Sequence, residues 1–112
     1  MAKRRHPGYA NCPTEAALDV IGGKWKSLIL FQLFGGTRRF NELRRLIPNV
    51  TQRMLTNQLR ELEADRLVHR KVYAEVPPRV EYSLTDFGRT LEPVIVALRH
   101  WGEAHMMDRV AR

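Results

Sequence analysis

Apolar positions recur at helical spacing through the first two-thirds of the chain and then change to alternation. Ala16, Ala17, Val20 and Ile21 form one stripe. Pro13 or Thr14 suits its first turn, and Gly22-Gly23 ends it. The next stretch, "KWKSLILFQLF", is apolar nearly all round, which predicts a central helix closed by Gly35-Gly36. Two short amphipathic helices follow. "RRFNELRRLI" turns Phe40, Leu43, Leu46 and Ile47 inward, and Pro48-Asn49-Val50 breaks it. Thr51 then offers an N-cap hydroxyl to "TQRMLTNQLREL", which extends to Asp65 or Arg66. Leu55, Leu59 and Leu62 fall on one side of that helix. The expected core is Trp25, Leu28, Ile29, Phe31, Phe40, Leu43, Leu55, Leu59 and Leu62.

After Leu67 the period becomes two. "LVHRKVYAEV" is rich in β-branched and aromatic residues, Pro77-Pro78-Arg79 interrupts it, and "RVEYSL" places Val80, Tyr82 and Leu84 on one face. This predicts a β-hairpin with a proline-rich loop. Thr85 caps a final helical region, broken or kinked near Pro93. Val94, Ile95, Val96, Leu98, Trp101, Met106 and Met107 give that region more apolar surface than one terminal helix needs, so a second chain is expected to cover part of it. The fold class expected is mainly α with a small β-hairpin. Residues 1–11 read as a flexible basic arm and residues 12–112 as one domain.

Charge narrows the partner. The 112 residues carry a net charge of +7, which predicts a polyanion. Residues 38–60 hold six arginines against Glu42 alone, whereas residues 81–112 hold more acids than bases. The outward face of "TQRMLTNQLREL" carries Arg53, Thr56, Asn57 and Arg60, and its first carboxylate, Glu61, lies on the flank. No apolar run approaches the roughly 20 residues of a membrane span. No apolar segment follows the basic start "MAKRRHPGY", so the chain is expected to be cytoplasmic and unprocessed, with no membrane partner.

Helix, short turn, helix and hairpin together make a winged helix-turn-helix. Its second helix would enter a DNA major groove. Arg53 and Arg60 can bond guanine edges or phosphates, Gln52 and Asn57 can bond adenine, and Thr56 can bond a phosphate or touch a thymine methyl. Thr51 starts that helix. Arg38 and Arg39 stand near the start of the preceding helix, where a phosphate can be held, and Lys71 and Arg79 belong to the wing. Arg79, with Pro77 and Pro78, would reach across the backbone to an adjacent groove. One rival is a basic protein that binds nucleic acid, RNA included, without sequence preference; the other is a small redox-active protein centred on Cys12, against which a lone cysteine without a resolving partner argues.

Catalysis finds no support. There is no Ser-His-Asp order, phosphate-cradling glycine loop or carboxylate pair, and no cofactor is implied. His100 and His105 lie on different helix faces, and His6 and His69 have no partner at ligand spacing, so no metal site is expected. The single cysteine, Cys12, excludes a disulfide within the chain. It stands just before a helix start, a place that favours a thiolate, and near a dimer surface it can form an inter-chain or mixed disulfide. The alternative is a small residue packed at the helix start.

Three stretches, "CPTEAALDVIGGKWKSLIL", "RRFNELRRLIPNVTQRMLTNQLRELEADRLVHRKVY" and "EVPPRVEYSLTDFGRTLEPV", resemble the HxlR-type winged helix regulators, relatives of the MarR regulators. The resemblance covers about residues 12–102. It implies a transcription regulator that binds a pseudo-palindromic operator as a homodimer, with residues 14–21 and 93–108 forming the dimer interface. Some HxlR-type regulators are similar in using an N-terminal cysteine at this motif to sense oxidants, which implies the same role for Cys12. The signal itself, small molecule or oxidant, is not given by the resemblance.

Overall fold

The computed structural model describes residues 12–110, so the arm expected over residues 1–11 lies outside the described residues. Seven helices and three strands follow the order α1 Pro13–Ile21, α2 Lys26–Phe34, β1 Arg38–Arg39, α3 Phe40–Leu46, α4 Gln52–Ala64, β2 Val68–Tyr73, β3 Arg79–Leu84, α5 Asp86–Arg89, α6 Glu92–His105 and α7 Met107–Val110. Pro13 stands in the first turn of α1, where its missing N–H costs nothing.

The core forms where α2, α3, α4 and the sheet converge. Ile29, Leu30 and Leu33 of α2 meet Leu43 of α3, Leu55, Leu59 and Leu62 of α4, and Tyr82 and Leu84 of β3. Ile95 joins them from α6. Four residues expected in this core stand differently. Leu28 is 42% exposed, and Trp25, Phe31 and Phe40 are only partly buried against the cluster. The reason is that α2 has a solvent side after all, and Leu28 occupies it.

The polar surprise in α2 is Lys26. Sequence pattern assigned it to no role, yet it is buried. Its ammonium pairs with Glu61 of α4 at 2.7 Å. The helix begins after Trp25 rather than at Lys24, so Lys26 opens its first turn.

Between α3 and α4 the chain reverses at Asn49, whose φ of 74° is left-handed. Asparagine tolerates that region better than most residues. Val50 then plugs the turn into the core. At the other end of α4, Arg66 adopts φ 64°. Leu67 N–H donates back to Leu62 O at 3.0 Å, closing the helix with a left-handed cap.

The sheet has three strands rather than the hairpin alone, in the order β1-β3-β2, all antiparallel. Arg38 and Arg39, expected within the third helix, form the short strand β1 before it. Arg38 pairs with Tyr82 and Arg39 with Glu81. On the far side, Arg70 pairs with Tyr82 and Lys71 with Glu81. Two rows therefore cross the sheet: Arg38, Tyr82 and Arg70 face the helices, and Arg39, Glu81 and Lys71 face away.

Thr85 caps α5 as expected, accepting from Gly88 N at 2.9 Å. The same hydroxyl donates to Arg66 O at 2.7 Å, tying α5 to the end of α4. A side chain at Gly88 would collide with the Leu67 carbonyl, so only glycine lets α5 approach so closely. The final helical region breaks at residues 90–91, before Pro93. Pro93 opens the first turn of α6 and kinks nothing. On α6 and α7, Leu98, Trp101 and Met107 remain more than half exposed, as does Leu18 on α1.

Candidate nucleic-acid interface

The pair α3–α4 sets the frame. Thr51 is extended, and its Oγ1 accepts from Met54 N at 3.0 Å. That bond satisfies one orphan donor at the end of α4. Leu55, Leu59 and Leu62 seat one side of α4 in the core. The opposite side is a crest of Arg53, Asn57 and Arg60, all exposed, flanked by exposed Gln52 and half-buried Thr56. These five residues share one shallow cleft along the helix. Among the described residues no carboxylate forms an ion pair with Arg53 or Arg60. Glu61, on the flank of α4, is turned to Lys26 instead. Glu63 stands on the wing side, where it lines a groove with Gln52, Thr56, Arg60 and Arg70.

Such a crest can do what a major groove requires. Two guanidinium groups and one carboxamide, mounted on a helix pinned by three buried leucines, present donors and acceptors at fixed spacing. No step of that recognition needs a cofactor or metal. Among the described residues no group of three or more His, Cys, Asp or Glu is placed to hold an ion.

The other basic residues are held differently. Arg38 is half-buried, and its Nε donates to Gln32 O at 3.3 Å. It braces the end of α2 against β1. Arg39 is exposed, and its backbone N–H donates to Glu42 Oε1 at 2.8 Å. On the wing, Arg79 Nη2 lies 3.0 Å from Glu75 Oε2 and its Nε 3.7 Å from Glu81 Oε2. The guanidinium also stacks 3.9 Å from the centre of the Tyr73 ring. Lys71 approaches the same ring at 4.9 Å. Arg79 thus begins β3 and folds back on its neighbours. The tip of the hairpin is uncharged: Val76, Pro77 and Pro78, all exposed.

Sequence reasoning passed over Asn41, Arg44, Arg45, Asn49 and Arg70. The first four share a basin with Thr51 at the α3 side of the recognition pair. Arg44 and Arg45 belong to the arginine-rich segment already noted, but periodicity alone gives an outward arginine no particular partner. Arg70 was legible only as one of several polar positions in an alternating strand.

Cys12 is the N-cap residue of α1 and is half-buried. Its carbonyl accepts from Ala16 N at 3.1 Å, and its side chain makes no cap bond. His100 and His105 are exposed on α6, with the His105 ring 5.2 Å from that of Trp101.

Comparison with known proteins agrees with this geometry. A family model described as HxlR-like helix-turn-helix matches residues 20–110. The uncharacterized HTH-type transcriptional regulator YybR of Bacillus subtilis (strain 168) is 58% identical over 103 residues, covering 92% of this chain and 82% of YybR. The structure of the redox regulator HypR in its oxidized form superposes with a TM-score of 0.81 at 62% identity, over 84% of this chain and 97% of that one. A transcriptional regulator of the MarR family from Enterococcus faecalis V583 gives a TM-score of 0.76 at 44% identity, over 91% and 93%.

Proposed function

This chain belongs to the HxlR-like helix-turn-helix family of transcription regulators, and from that membership we propose that it binds a pseudo-palindromic operator as a homodimer. Its relatives are regulators rather than enzymes, and no described helix is long and apolar enough to cross a membrane. The cytoplasm is its proposed place of action.

The observation that carries the reading is the crest of α4. Arg53, Asn57 and Arg60 are exposed and held on a helix whose other side is locked by leucine. In a two-fold dimer, two such crests would meet successive major grooves about 34–36 Å apart. Thr51, Gln52 and Thr56 stand beside the crest. Arg39 and Lys71 support the interface from the outer row of the sheet, and Arg38 and Arg79 support it by bracing β1 and the wing. The dimer would cover the exposed apolar side chains of α1, α6 and α7.

We further propose that Cys12 gives the regulator a response to oxidants. Its support is the free, half-buried thiol at the start of α1, a helix of the proposed interface, together with the similarity to the redox regulator HypR.

Selection from a random duplex pool at about 150 mM salt, where phosphate-only binding is already weakened, tests the central reading. An enriched palindrome with half-sites one helical turn apart is expected. Recovery of a featureless pool would overturn the reading and point to nonspecific or RNA binding.

A further inference from the structure

A recognition helix in the major groove is flanked by two phosphate strands, one along each side. The molecule has a basic channel on each side of α4. On the α3 side, Asn41, Arg44, Arg45, Asn49 and Thr51 line one basin. On the wing side, Gln52, Thr56, Arg60 and Arg70 line a groove between α4 and the inner face of the sheet. Arg44, Arg45 and Arg70 are all exposed. Among the described residues none of the three forms an ion pair with a carboxylate.

We propose that these two channels are the seats of the DNA backbone, and that Arg44, Arg45 and Arg70 bind phosphates while Arg53 and Asn57 read bases. This deepens the operator-binding reading and rests on it. The division follows from position on α4. Arg53 and Asn57 line the crest cleft but neither channel. Arg60 lines both the crest cleft and the wing-side groove, so it stands at the boundary between base edge and backbone.

The contrast with the wing's own arginine supports the assignment. Arg79 is already ion-paired with Glu75 and, more loosely, with Glu81, and stacked on Tyr73, so a phosphate there would have to compete with two carboxylates. Arg44 and Arg45 form no such ion pair among the described residues, although Arg45 also lines the cleft toward the wing with Glu42 and Glu75. In the wing-side groove, Glu63 opposes the phosphate, and Arg60 and Arg70 outweigh it. The two asparagines of the basin and the Thr51 hydroxyl add neutral hydrogen bonds of the kind that fix a phosphate in register.

The test measures binding to the selected operator and to a shuffled duplex of equal length across a salt series. Arg44→Ala, Arg45→Ala and Arg70→Ala are each expected to weaken both duplexes by the same factor. Each is also expected to make the salt slope shallower by about 0.9 per protomer bound. Arg45→Lys should keep the slope, because the charge remains. Arg53→Ala should weaken the operator alone. Alanine variants of the three arginines that weaken only the operator, or that leave both duplexes and the slope unchanged, overturn the proposal. Wild-type protein that fails to discriminate the two duplexes would overturn operator binding instead. The slope on the shuffled duplex would still decide the phosphate assignment.

Discussion

Lys26 Nζ lies 2.7 Å from Glu61 Oε1, joining the start of the central helix α2 to the flank of α4. The lysine side chain is 5% exposed and the glutamate 42%. The pair therefore ties the element that would read DNA to the middle of the domain. Removing the carboxylate would leave a buried ammonium without that partner. Removing the ammonium would leave a carboxylate that water can still reach.

The asymmetry sets the first prediction. Glu61→Ala should destabilise the fold by about 1–3 kcal/mol, the cost of leaving the buried Lys26 ammonium without its carboxylate. Lys26→Met, which keeps much of the packing volume, should cost less. Urea unfolding at one fixed protein concentration checks the order, because the stability of the proposed dimer would depend on concentration. Equal losses would mean that the burial of Lys26 is not what sets the cost.

A second prediction concerns Arg66. Its left-handed φ of 64° is a position where a side chain costs energy and glycine does not. Arg66→Gly should stabilise the protein by about 0.5–1 kcal/mol, read from the urea midpoint with an unchanged slope. No gain would mean that the Arg66 side chain makes up the backbone cost elsewhere.

Trp101 and Leu98 test the proposed dimer. They are 59% and 55% exposed on one helix, too apolar a surface to leave in water beside Val94 and Met107. The double variant Leu98→Asp and Trp101→Asp should sediment as a monomer with its helical circular dichroism intact. It should also bind a single half-site more weakly than the wild type binds the whole operator. A dimer that survives both charges would place the interface elsewhere.

Oxidation provides the fourth test. Diamide should change the operator affinity of the wild-type protein, and dithiothreitol should restore it. Cys12→Ser should not respond. If the serine variant responds equally, the signal does not pass through this thiol.

How far the sequence reached depended on whether a feature was local. The turn at residues 48–50, the cap at Thr51 and the leucine side of α4 were all legible, because period, capping hydroxyl and chain breaker act within a few residues. The wing was legible as alternation between two breakers. The crest of Arg53, Asn57 and Arg60 followed directly, since on a helix the face opposite the buried one needs no further information.

Other features were settled by contacts distant in sequence. Arg38 and Arg39 read as the start of a helix, and only pairing with Tyr82 and Glu81 makes them a strand. Lys26 sits in an apolar run that gives no hint of Glu61, 35 positions later. Arg79 read as a basic residue of the wing, and only the tertiary structure sets Tyr73, Glu75 and Glu81 beside it. The arginine count in residues 38–60 announced a polyanion by itself. Which arginines are held by the fold and which stay exposed without a carboxylate partner was decided by the tertiary structure, because a guanidinium commits to whichever acceptor folding brings within reach.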